Sequence, residues 1–88
     1  AFRDTSPQAP VHILVIPKDH VASLGETSSE HKEMLGHLLV SASAIARDEG
    51  IADDGYRVVI NTNSDGGQTV FHLHVHLLGG RPFVFPPG

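Results

Sequence analysis

Val70-Phe71-His72-Leu73-His74-Val75-His76-Leu77-Leu78 is the stretch on which the reading of this chain turns. It is apolar and β-branched and alternates with period two, which predicts a β-strand. Successive side chains of a strand point to opposite faces, so Phe71, Leu73, Val75 and Leu77 share an apolar face while His72, His74 and His76 stand in a row on the other. One face is suited to a core. The other presents three imidazoles, the side chains that titrate nearest neutral pH.

A row of histidines admits three readings. Metal binding is limited by geometry: neighbours on one face are about 6.6 Å apart and the outer pair about 13 Å, against zinc–nitrogen bonds of about 2.0–2.1 Å. Two of the three could share an ion, with further ligands needed from His12 or His20. The second reading is nucleophilic and acid–base catalysis, in which the middle imidazole attacks and its neighbours bind charge, orient it and relay protons. The third, a polar sheet face with chance histidines, would suit one histidine better than three at strict spacing.

Immediately upstream lies Asn61-Thr62-Asn63-Ser64-Asp65-Gly66-Gly67-Gln68-Thr69. These are turn-forming residues, and a plain hairpin loop would account for them. Next to a histidine row they say more. Gly66-Gly67 permits close backbone approach and positive φ, successive N–H groups of such a turn can form an anion nest, and Gln68 and Thr69 add neutral donors. Together the loop and the row point to an anionic, phosphate-bearing substrate.

The rest of the chain bounds the possibilities. Eighty-eight residues make one domain at most, and a chain of that size buries little more than about 60% of its unfolded surface, so a partner would help it. A composition 40% hydrophobic and 18% charged is that of an ordinary globular protein, and the net charge of −4 argues against bulk nucleic-acid binding, though not against one nucleotide in a local pocket. With no cysteine there is no disulfide, which fits a reducing, cytoplasmic compartment. No apolar run has the length of a membrane helix, and no basic-then-apolar signal segment opens the chain.

Val11 to Ile16 reads as a central strand, apolar on both faces except for His12 and ended by Pro17. Thr27 with Glu30 suggests a capping box, and Met34, Leu35, Leu38, Leu39, Ala42, Ile45 and Ala46 recur at helical spacing up to Gly50, predicting a helix from Ser28 to Glu49. Val40 and Ala44 widen its apolar stripe beyond what one sheet would cover, which suggests a second, helix–helix contact. Tyr56 to Asn61 reads as a further strand, which brings Asn61 beside the loop and the histidines if the two strands pair. The tail Pro82 to Gly88 forms neither helix nor regular strand.

His72-Leu73-His74-Val75-His76-Leu77-Leu78 is similar to the signature of the histidine triad (HIT) superfamily, His-x-His-x-His-x-x with x apolar. Ser6-Pro7-Gln8-Ala9-Pro10, Val15-Ile16-Pro17-Lys18, Ser64-Asp65-Gly66-Gly67-Gln68, Gly79-Gly80-Arg81 and Pro86-Pro87-Gly88 resemble its Hint branch, the histidine triad nucleotide-binding proteins. The resemblance runs end to end. It implies an α+β HIT-like fold, an antiparallel sheet with one long helix on its apolar face, extended across a two-fold homodimer; residues 1–88 would form a single HIT domain, with a further N-terminal segment expected ahead of Ala1. The implied activity is hydrolysis of purine nucleoside 5′-phosphoramidates through a nucleotidyl-histidine, with no metal or other cofactor. His74 would be the nucleophile, His76 would bind a phosphate oxygen, and His72 and His12 would orient and relay. Asn61 would contact phosphate or ribose, and the N–H groups near Gly67 and Val70, with Thr69 and beside Gln68, would hold phosphate or leaving group. Phe2, Asp4 and Thr5 would meet base and ribose, although Asp4 on its residues alone is a turn residue before Ser6-Pro7. His20 matches a family histidine further from the chemistry. Phe85 stands where the family often has Trp, in a tail that reaches towards the partner's site. The rivals are a dinucleoside polyphosphate hydrolase, a nucleotide-binding regulatory module with incidental catalysis, and a zinc-binding protein.

Overall fold

A computed structural model describes residues 1–87; Gly88, the last residue of the tail motif, lies outside the described residues. Four strands and one helix follow in the order β1 (Phe2–Arg3), β2 (Val11–Val15), α1 (Lys32–Asp48), β3 (Tyr56–Val59) and β4 (Val75–Gly79), with short 3-10 turns at Leu24–Glu26 and Ser29–His31. The sheet order is β1-β2-β4-β3 and every pairing is antiparallel. The two central strands, β2 and β4, are the two that carry histidines.

The expected alternation holds where it matters. Leu73, Val75 and Leu77 are almost completely buried, 1%, 0% and 0% exposed. With Val15, Leu38 and Ala42, and with Ile13, Ala46 and Ile51, they form the core between the sheet and α1. Side chains at positions 72, 74 and 76 are left for the other side. The strand itself is shorter than its sequence suggests. It begins at Val75, because its partner β2 pairs no further than Val15 opposite Val75 and the following Pro17 has no N–H to offer. Leu73 leaves the ladder and donates its N–H to the carbonyl of Val21 at 2.7 Å. Phe71, expected on the buried face, is 53% exposed.

The helix departs from expectation at its start. The capping residue is Ser28, not Thr27: its Oγ accepts from the N–H of Glu30 and its own N–H donates to Nδ1 of His31 at 2.9 Å, while Thr27 Oγ1 donates back to the carbonyl of Leu24. The first turn is therefore 3-10, and α-helix begins at Lys32. At the far end Gly50 takes φ +76°, and the N–H of Ile51 closes on the carbonyl of Ala46. The wide apolar stripe is real: Leu38, Ala42 and Ala46 are buried against the sheet, whereas Leu39 and Val40 remain 48% and 67% exposed. β3, shorter than expected because it stops at Val59, is an edge strand and exposes Tyr56 and Val58.

Candidate active site

The four histidines of the expected site, with His20, resolve into two hydrogen-bonded groups, and the backbone fixes the proton positions in both. In the first group the N–H of Gln8 donates to His12 Nδ1 at 3.0 Å. A main-chain amide can only donate, so neutral His12 carries its hydrogen on Nε2. That nitrogen is 2.9 Å from His76 Nδ1, and it donates there. His76 in turn holds its hydrogen on Nε2, a buried atom that has no hydrogen-bond partner among the described residues. The chain of tautomers thus ends in an N–H that no acceptor among the described residues meets, and a buried donor of this kind calls for an explanation.

His74 is held differently. Its Nδ1 is 2.7 Å from the carbonyl oxygen of His72. A carbonyl can only accept, so Nδ1 carries the hydrogen and the lone pair lies on Nε2. The rings of His74 and His76 are 5.0 Å apart between centroids and steeply inclined, so a ring with its lone pair on Nε2 neighbours a ring with its hydrogen on Nε2. That pairing suits attack on an atom that bears a negatively charged oxygen.

In the second group His72 faces the carbonyl of Pro17 through Nε2 at 3.1 Å, so it donates there and accepts at Nδ1 from His20 Nδ1–H at 3.0 Å. The ring of His72 therefore supports the strand end, and its carbonyl orients His74. His20 is more closely engaged than its place in the sequence suggests, since it contacts a triad residue directly.

His76 is held below its ordinary pKa of 6.5, first by burial and then by the neighbouring imidazoles of His74 and His12, while Asp4 acts in the opposite direction. Burial removes solvation that a charged ring would need. Asp4 lies at the edge of this group: Oδ1 accepts from the N–H of Ser6 at 2.7 Å, and Oδ2 is 3.6 Å from His12 Nε2. One carboxylate oxygen and two imidazole nitrogens of Asp4, His12 and His76 come within 4.8 Å of one another, a donor set that zinc accepts. Two of these nitrogens, His12 Nε2 and His76 Nδ1, are already hydrogen-bonded to each other, and an ion at that point would displace the proton His12 donates to His76.

The loop before the histidines is braced from inside. Gln68, 5% exposed, accepts at Oε1 from the N–H of Asn63 and donates through Nε2 to the carbonyls of Ala22 and Val70. Its side chain faces inward, where the sequence suggested a donor to the substrate. The N–H of Gly67 is also occupied, by the carbonyl of Ser64. The N–H groups of Thr69 and Val70 meet no acceptor among the described residues, and both residues are exposed, so the open donors lie two or three residues later than the glycines. Gly67 at φ +84° and Asn63 at φ +60° turn the chain, and a Cβ on Gly66 would approach the backbone nitrogen of Thr62 to 2.8 Å. Asn61 is half-buried just beyond β3; Phe2 and Thr5 are exposed near Asp4.

The carrying signal for most of this site was the triad itself. The roles of Gln8 and Pro17 are main-chain roles and leave no mark on residue type. A concavity of about 470 Å³ lies elsewhere, beyond the C-terminal end of β4 between Gly50, Ile51, Asp54 and Arg81, and contains no histidine. Nearby, the guanidinium groups of Arg57 and Arg81 lie over the ring of Phe83, at 5.0 and 4.4 Å from its centre, and Arg57 donates to the carbonyl of Val84. These contacts anchor the start of the tail, while Val84 and Phe85 project, 78% and 87% exposed.

Known proteins share both the sequence and the fold. An uncharacterized HIT-like protein of Synechococcus elongatus is 62% identical over 88 residues, all of this chain and 76% of the relative. The purine nucleoside phosphoramidase of Escherichia coli is 56% identical over 82 residues, 93% of this chain and 69% of the enzyme. The crystal structure of a HIT family hydrolase from Legionella pneumophila superposes with a TM-score of 0.97 at 49% identity, covering 99% of this chain and 78% of that one. The HIT domain profile matches residues 1–83, and with the triad geometry above, this chain belongs to the HIT domain family.

Proposed function

We propose that this protein hydrolyses nucleoside 5′-phosphoramidates, purine nucleosides among them, at the α-phosphorus. The observation that carries the reading is the tautomer of His74: Nδ1–H is held by the carbonyl of His72 at 2.7 Å, and Nε2 keeps its lone pair. The similarity to the Escherichia coli phosphoramidase supports the substrate class.

In the first step His74 Nε2 forms a bond to the α-phosphorus, the P–N bond to the amine breaks, and the departing nitrogen takes up a proton. The carbonyl of His72 stabilises the imidazolium character that develops on His74. The unpartnered Nε2–H of His76 donates to a non-bridging oxygen, and the N–H groups of Thr69 and Val70 face the phosphate or the leaving group. In the second step water attacks the same phosphorus, the P–N bond to His74 breaks, and water gives up to solvent a proton that balances the one the amine took from it, so that nucleoside monophosphate and neutral His74 return. Asn61, Asp4, Thr5 and Phe2 line the approach for ribose and base. Gln68 and Gly67 act by shaping the loop.

The assembly belongs to the same reading. Leu39 and Val40 on α1, and Tyr56 and Val58 on edge strand β3, are exposed apolar residues that a second copy would cover, and a cytoplasmic homodimer whose projecting Phe85 helps to select the leaving group completes it. Rates of amine release from adenosine 5′-phosphoramidate and of cleavage of diadenosine polyphosphate, measured on one preparation, test the substrate class. Preference for the phosphoramidate is expected; preference for the polyphosphate would overturn it in favour of a dinucleoside polyphosphate hydrolase.

A further inference from the structure

The hydrogen on His12 Nε2 faces two acceptors. His76 Nδ1 is at 2.9 Å and takes the bond; Asp4 Oδ2 is at 3.6 Å on the same nitrogen. The carboxylate is not there by a chance rotamer. Its other oxygen is held by the N–H of Ser6 at 2.7 Å, and the N–H of Asp4 donates to the carbonyl of His12 at 2.9 Å, so the two residues are tied through their backbones as well. Asp4 lies at the open edge of the site, its side chain 20% exposed, whereas that of His12 is 4% exposed. One oxygen of the carboxylate can therefore meet a ligand from outside while the buried imidazole feels its charge from within.

We propose that Asp4 is a positioning residue that acts on His76 through His12, so that the carboxylate placed to meet the sugar also governs the imidazole placed to meet the phosphate; this rests on the hydrolase reading of the site. A vicinal diol brings two O–H donors to Asp4. When they occupy its lone pairs, its pull on the His12 proton weakens and that proton is given more fully to His76 Nδ1. His76 then keeps its own hydrogen on Nε2, directed at the phosphate. Capture of the sugar is in this way linked to the state of the phosphate donor.

The groups that face His76 are few. His12 comes from β2, His74 from the segment entering β4, and Asp4 from the segment after β1; on β3 the residue opposite is Val59, which carries no charge. Burial and both imidazoles disfavour a charged His76, and Asp4 is the group that favours it. Removing the carboxylate's charge while keeping its shape must therefore make His76 harder to protonate.

The experiment compares wild type with Asp4→Asn and Asp4→Glu. Long-range 1H–15N NMR of the free protein follows the ring nitrogens of His12 and His76 against pH, and steady-state kinetics on adenosine 5′-phosphoramidate give the pH profiles of kcat and KM. In Asp4→Asn the His76 titration and the acid limb of kcat move together to lower pH, and KM rises about tenfold as a charge-assisted contact is lost. Asp4→Glu, which retains the charge, keeps the His76 titration and the acid limb nearer to wild type than Asp4→Asn does, while its KM changes with the longer side chain. An Asp4→Asn variant with raised KM but unmoved titration and acid limb would overturn the proposal and leave Asp4 a sugar contact only. A wild type that releases no amine would remove the hydrolase reading, and the titration of the free protein would still decide the link between Asp4 and His76.

Discussion

His74 and His76 differ in their chemistry because their Nδ1 atoms meet different partners. A carbonyl leaves His74 with a lone pair on Nε2; a donating imidazole leaves His76 with an N–H on Nε2. The row of three like residues in the sequence shows neither difference, since tautomers are set by what lies behind each ring. Two predictions follow at this scale. If His76 donates to the phosphate as proposed, replacing it with Ala lowers kcat about 100-fold or more, with the circular dichroism spectrum retained. The second concerns pH. The folded-state pKa of His76 lies below its ordinary 6.5, so the unfolded chain binds the proton more readily. The stability this leaves is whole above about pH 6.5 and falls as pH is lowered towards the folded-state value. Thermal unfolding should show Tm falling on acidification through that range, and His76→Gln should flatten that part of the curve.

At the scale of elements, the loop before β4 illustrates how sequence and structure divide the information. That Asn, Ser, Asp and Gly make a tight turn beside the histidines was legible. That Gln68 faces inward was not, because an amide is equally suited to a ligand and to a loop, and only its three partners on Asn63, Ala22 and Val70 distinguish the two. Gln68→Ala leaves these groups without their partner and should cost about 2–4 kcal/mol of stability, read as a lowered denaturant midpoint, with weaker substrate binding as a consequence of the disordered loop. Gly66→Ala should act on the same loop by steric means, since the new Cβ meets the Thr62 backbone; raised KM with a well-folded core is expected. The helix shows the same division. Its period and its Gly50 stop were plain, but the choice between Thr27 and Ser28 as cap depended on the preceding 3-10 turn, whose Leu24 carbonyl takes the Thr27 hydroxyl. The start of β4 at Val75 was likewise hidden, because it depends on where β2, about 60 residues earlier, stops pairing at Val15.

For the whole molecule, one α+β layer pair accounts for the core, and the sheet order places His12 and His76 on adjacent central strands. This adjacency was not readable from the residues of either strand; the resemblance to the histidine triad family suggested it, and the register of β2 on β4 explains it. Leu39 and Val40 on the exposed side of α1 and Tyr56 and Val58 on edge strand β3 are apolar residues the chain does not cover itself, as are Val84 and Phe85 in the tail. Val40→Glu should shift a dimer to monomer in sedimentation velocity while leaving the monomer's helix content unchanged; a wild type that is monomeric at micromolar concentration would contradict the proposed assembly.

The central claim is that His74 attacks phosphorus, and the most direct measurement is the intact mass of the protein after brief mixing with adenosine 5′-phosphoramidate, quenched in neutral denaturant because a phosphorus–nitrogen bond to histidine is acid-labile. The account predicts a nucleotidyl adduct on the wild type and none on His74→Ala. An adduct on His74→Ala equal to that on the wild type would contradict it, as would rapid release of amine by the wild type with no adduct at any mixing time.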